Sequence, residues 1–120
     1  MAVQKQDGLF TDTAQSSEDL TGKELYFVKR TAAGKAALCG DGESIAGVIS
    51  QGRDVGYHTS FNTPGSPILK AICGEAISRG DEVQSNQFGK AKSGSTNAIG
   101  YARNSAVAGE VVEIATDATT

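Results

Sequence analysis

Nucleophilic catalysis at neutral pH needs a thiol or hydroxyl activated by a base, and this chain of 120 residues offers two thiols, Cys39 and Cys73, and one imidazole, His58. A Cys–His hydrolase would hold one thiol within hydrogen-bond reach of that ring. The neighbours Leu38 and Ile72 instead mark both cysteines as small buried hydrophobes, and His58 falls on the polar phase of an alternating segment. The hydrolase is therefore the third of three readings. With no second cysteine near either one, the chain has neither a CxxC redox motif nor a zinc knuckle, and a reducing, intracellular site of synthesis is expected.

Carboxylates are the other chemistry-bearing groups. Asp41, Glu43, Asp81 and Glu82 fall in glycine-marked turns, where Asp commonly bonds its own backbone, and their spacing matches no calcium loop. Thr21-Gly22-Lys23 ends like a phosphate-binding loop, but Ser17 stands where the first glycine belongs and a strand pattern follows. The expectation is a chain with no catalytic, metal-binding or cofactor-binding residue, which is not an enzyme.

The elements that must position these groups are short strands. Leu25-Tyr26-Phe27-Val28 is an aromatic and β-branched run that predicts the first strand, followed by Lys35–Cys39 and Ile45–Ile49 around Gly40-Asp41-Gly42. Val55, Tyr57, Thr59 and Phe61 alternate with Gly56, His58, Ser60 and Asn62, which predicts a strand with the first set buried. After Pro64-Gly65-Ser66-Pro67, the run Ile68–Cys73 places Leu69, Ala71 and Cys73 on one face. Residues 75–83 fit one helical turn or a bent loop, with Gly80 able to take positive φ before Val83 restarts a strand. Gly89–Lys92, Ile99–Ala102 and Val111–Ile114 complete the series. Short strands, glycine turns and no amphipathic helix predict an all-β fold, a small barrel or sandwich. Gly34-Lys35-Ala36 before Ile45–Val48 is echoed by Gly89-Lys90-Ala91 before Ala98–Tyr101, as two equivalent hairpins would be, or as chance reuse of β-protein words would produce.

Composition limits the core and the partners. Val, Ile, Leu and Phe total 24 residues against 15 glycines, so one thin core is expected, with self-association as the added support. A net charge of −3 with interspersed signs argues against nucleic acid or an anionic membrane as the main partner. No stretch approaches the ~20 apolar residues of a membrane helix, and the N-terminus has no apolar leader core, so a soluble chain without a secretory signal is expected.

Residues 1–22 show no period and predict an extended N-terminal arm ahead of a β-domain over 23–116 and a short tail over 117–120. Leu9 and Phe10, an apolar pair between Gly8 and Thr11, are the candidate partner-binding residues of that arm.

Residues 67–114 carry a resemblance. A strand closing on Gly74 leads into Ala76-Ile77-Ser78-Arg79-Gly80-Asp81-Glu82-Val83, then Gly89-Lys90-Ala91, then Ala98-Ile99-Gly100-Tyr101-Ala102, then Gly109-Glu110 and the strand to Ile114. This succession resembles the capsid decoration, or cement, proteins of tailed phages. The resemblance implies a structural protein made in the host cytoplasm and bound to the outer capsid surface, with the major capsid protein as partner. It also implies a small homo-oligomer, a trimer by preference, that stabilises the capsid lattice. The alternative is a barrel-sandwich, lipoyl-like carrier or ligand-binding module, whose modified lysine at a hairpin tip would be Lys90; the acidic or Met neighbour such domains place beside it is absent.

Overall fold

Runs of three to five residues, each stopped by a turn, can bury only one face apiece and must pair to satisfy their backbones. In the computed structural model, which describes residues 10–116, they form ten strands. These are β1 (Thr11–Gln15), β2 (Phe27–Arg30), β3 (Ala36–Leu38), β4 (Gly47–Gln51), β5 (His58–Asn62), β6 (Ile68–Ile72), β7 (Glu82–Ser85), β8 (Ala91–Ser93), β9 (Gly100–Ala102) and β10 (Val111–Ala115). Two five-stranded antiparallel sheets result, in the orders β1-β5-β4-β2-β3 and β6-β10-β9-β7-β8. The second order is the first with every label advanced by five. The chain is thus one β-unit repeated in tandem, joined at Pro64–Pro67.

The repetition extends to single bonds. A parallel bridge between Ser16 and Ala36 joins the edges of the first sheet, and Cys73 with Ala91 does the same in the second, so each sheet curls onto itself as a small barrel. Alanine suits that seam because both Ala36 and Ala91 are fully buried where the edges meet. Gly34 and Gly89 take the same place in their hairpins at φ 80° and 78°, a left-handed conformation that glycine adopts without steric cost. Gly47 and Gly100 sit where chains touch: a Cβ there would lie 2.4 Å from the carbonyl oxygen of Asn62 and 2.1 Å from that of Ala115, respectively.

Each unit has its own core. Ala14, Leu20, Val28, Ala36, Ile49 and Phe61 fill the first, and Ala71, Ile77, Val83, Ala91, Val112 and Ile114 belong to the second. The second cluster continues into the junction, where Phe27, Cys39 and Val48 of the first unit pack with it. Three backbone hydrogen bonds cross the same junction: Phe27 N–H to Gly89 O at 2.7 Å, Ile72 N–H to Leu25 O at 3.0 Å and Gly42 N–H to Ser85 O at 3.0 Å.

All-β architecture and small curled sheets are as the strand pattern indicates, and Leu69, Ala71 and Cys73 are buried together as the alternation requires. Four expectations are corrected. The chain has two cores where one was expected. Residues 11–22 are not an arm: β1 pairs along its whole length with β5, and Leu20 is fully buried. The first two residues of the run Leu25–Val28 are not strand, because Leu25 turns left-handed at φ 73° to give its N–H to Ile49 and its carbonyl to Ile72, and β2 begins only at Phe27. Val55 and Tyr57 are exposed rather than buried, since a turn closed by Tyr57 N–H to Asp54 O lifts them off the sheet before β5 begins. Residues 75–83 take the bent-loop form, with an Ile77–Ala106 bridge and Gly80 at φ 93°. Leu9 and the tail over 117–120 lie outside the described residues.

Candidate functional site

The groups that could do nucleophilic chemistry are held apart. Cys39 and Cys73 are free thiols, each 1% exposed within the second core cluster, while His58 starts β5 of the first unit and faces solvent. Burial penalises the thiolate, pushing the Cys39 thiol up to about 12 and raising that of Cys73, the reverse of what a nucleophile needs. Asp81 accepts the Ser78 N–H at 2.9 Å and so closes its own turn, and Asp41 pairs with Lys92 across the junction at 3.0 Å. Among the described residues no group of three or more His, Cys, Asp or Glu side chains converges on a point that could hold a metal ion. Lys90 does not form the tip of its hairpin, a place taken by Gln87 and Phe88.

What the fold does build is a cleft of about 620 Å³ where the units meet. The first unit contributes Glu18, Lys23, Tyr26, Lys29, Leu38 and Glu43, and the β7–β8 hairpin of the second contributes Gln87, Phe88 and Lys90. Tyr26 is also in its lining, with the Lys23 Nζ 5.2 Å and the Lys90 Nζ 5.6 Å from the ring centroid, inside cation–π range. Both carboxylates are occupied: Glu18 accepts the Leu38 N–H at 2.7 Å, and Glu43 accepts the Gly40 N–H at 2.6 Å and the Lys29 ammonium at 2.8 Å. The Lys29 hydrogen bond is the chief reason the Glu43 carboxyl is held below its ordinary value and the Lys29 ammonium above its own.

A second surface is the outer face of the second sheet. Cross-strand rows place Ile72 opposite Val111, Lys70 opposite Glu113, and Ile68, Ala115 and Tyr101 side by side. Ile68, Val111 and Tyr101 are 37%, 41% and 45% exposed. Arg103 pairs with Glu113 between the apolar rows at 3.4 Å. Phe10, the described half of the expected partner-binding pair, is tied down within its own chain: its N–H donates to Ser66 Oγ at 2.7 Å, and its carbonyl accepts the Thr63 N–H at 2.7 Å. Its ring is still 47% exposed beside the connection between the units.

The architecture defines a tandem β-unit protein whose prominent features are surfaces, an apolar sheet face and a lysine-lined cleft, assembled without a convergent catalytic group among the described residues. No family model matches the chain, and no curated protein does. Among solved structures the chain is similar to the N base of the head fiber gp8.5 of bacteriophage phi29, with a TM-score of 0.70 and 19% identity over 89% of this chain and 92% of that one. At that identity the likeness is one of fold.

Proposed function

We propose that the protein is a structural component of a tailed-phage head, bound to the outer surface of the capsid through the major capsid protein and stabilising its lattice as a small homo-oligomer, a trimer by preference. The observation that carries the proposal is the match of nearly the whole chain to the base of a phage head fiber, joined to the resemblance of residues 67–114 to capsid decoration proteins. The apolar rows of the second sheet supply the attachment face, with Leu9 and Phe10 as a further contact. Weak contacts of that kind gain from repetition on a lattice. Closed symmetric oligomers are the common way for small chains to multiply such contacts.

The test is co-sedimentation of purified protein with expanded phage heads that lack it, alongside its own sedimentation. A species of about three times 12.3 kDa that saturates the heads is expected. Tyr101→Ser with Val111→Ser should weaken head binding and leave the fold intact, as should removal of residues 1–9, a truncation that spares β1. A monomer that fails to bind any head overturns the reading.

A further inference from the structure

We infer that the cleft between the two units binds the acidic side chains of an extended peptide segment of a protein partner, with Lys23 and Lys90 receiving a carboxylate at Tyr26 and with Phe88 and Leu38 receiving its apolar neighbour. This does not depend on the phage-head reading.

The argument is one of unspent charge. Five charged side chains line the cleft, and three of them are engaged with one another or with backbone: Glu43 with Lys29 and Gly40, and Glu18 with Leu38. Among the described residues neither Lys23 nor Lys90 makes an ion pair. Both ammoniums are instead gathered on one ring, at 5.2 Å and 5.6 Å from the Tyr26 centroid. A cation–π contact positions a charge without neutralising it, so the pair stays available to an anion. The volume of about 620 Å³ lies within the ~300–1,000 Å³ of ligand sites and admits side chains of a strand-like segment. Phe88, 61% exposed at the hairpin tip, offers an apolar surface beside the two charges.

Peptide is favoured over nucleic acid by the same wall. Glu18 and Glu43 stand in it, and the chain carries a net charge of −3, so a continuous row of phosphates would meet fixed negative charge where spaced carboxylates need not. Lys23 and Tyr26 come from the first unit and Phe88 and Lys90 from the second, so the site exists only because the units dock.

The test is an NMR titration of the isotopically labelled full chain with a short blocked peptide of alternating glutamate and leucine, and with its glutamine counterpart. Saturable shifts confined to Lys23, Tyr26, Leu38, Phe88 and Lys90 are expected, with the glutamine peptide about tenfold weaker, the effect of losing two partly exposed charge contacts. Lys23→Gln with Lys90→Gln should cost the same factor, while Lys35→Gln with Lys70→Gln, an equal change of charge elsewhere, should leave binding unchanged. If the first double variant does not fold, Lys90→Gln alone should bind about threefold more weakly. Absence of saturable shifts, equal binding of the glutamine peptide, equal loss in the Lys35/Lys70 control, or tighter binding of a single-stranded oligonucleotide each overturns the inference. Peptide binding without head binding would fell the capsid proposal and leave this one standing.

Discussion

Phe27→Ala probes the junction on which both the fold and the cleft depend. Phe27 belongs to the first sheet yet is fully buried in the core cluster of the second unit, beside Cys39 and Val48. Its backbone N–H to Gly89 survives the substitution, so what is lost is the packing of one ring. Removing a buried Phe costs about 3–5 kcal/mol. For a chain of this length total stability is of order 6–18 kcal/mol, so the loss is a large share of it. At roughly 4 °C per kcal/mol the midpoint should fall by about 12–20 °C. Urea denaturation followed by circular dichroism measures both the loss and its slope. The repeat supplies an internal control, because the register that pairs Phe27 with Val48 pairs Glu82 with Tyr101 in the second unit. Glu82 is exposed, and Glu82→Ala should stay within about 0.5 kcal/mol of the parent. A Phe27→Ala loss below about 1 kcal/mol with an unchanged slope would refute a packed junction and with it the shared cleft.

Burial raises both thiols, so Cys39 and Cys73 should resist iodoacetamide in the native protein at about pH 8 and react only on unfolding; intact mass reads the outcome, and stoichiometric labelling of native protein contradicts it. The Lys29–Glu43 pair should show in the pH dependence of stability. A carboxyl held below its ordinary value contributes stability that is present above the usual carboxylate range and is lost as pH falls through the lowered value. Lys29, raised above its ordinary 10.5, contributes below that value and loses its contribution as pH rises through the raised one. Glu43→Gln should therefore flatten the acid limb of the melting curve between about pH 5 and 3, and an unaltered limb would contradict the pairing.

The β-class was legible because its signals are local: two-residue alternation in Ile68–Cys73 and a glycine at most turns need no knowledge of the rest of the chain. β1 was not legible in Thr11–Gln15, where Ala14 alone is buried, so the segment carries almost no apolar period. It had an indirect signal. β1 is the counterpart of β6, and extending the echo of Gly34 and Gly89 back along both copies requires a strand ahead of Leu20. The cleft had no such signal, since Lys23, Tyr26, Phe88 and Lys90 meet only through the docking of two units whose mutual orientation no short-range pattern encodes. Leu25 misleads for a related reason: its side chain favours a strand, but its carbonyl is needed by Ile72.

The two copies differ most where they must. The register that sets Asp12 opposite Phe61 sets Leu69 opposite Ile114, so Asp12 and Leu69 occupy the same place at one end of their barrels. In the second unit that end is covered by the first and carries no charge: Leu69 is buried, and so is Ser85, whose carbonyl accepts the Gly42 N–H. In the first unit nothing among the described residues covers it, and there Asp12 pairs with Arg30, whose guanidinium lies 5.4 Å from the Phe61 ring centroid. Arg30 itself is the counterpart of the buried Ser85. The ion pair thus closes the exposed barrel end with charge where its twin is closed by protein. Repeat proteins stay soluble when their terminal units carry polar outer faces. With Asp12 where its counterpart is Leu69, and Glu82 where its counterpart is Phe27, the two described units carry polar residues at the ends turned away from their junction.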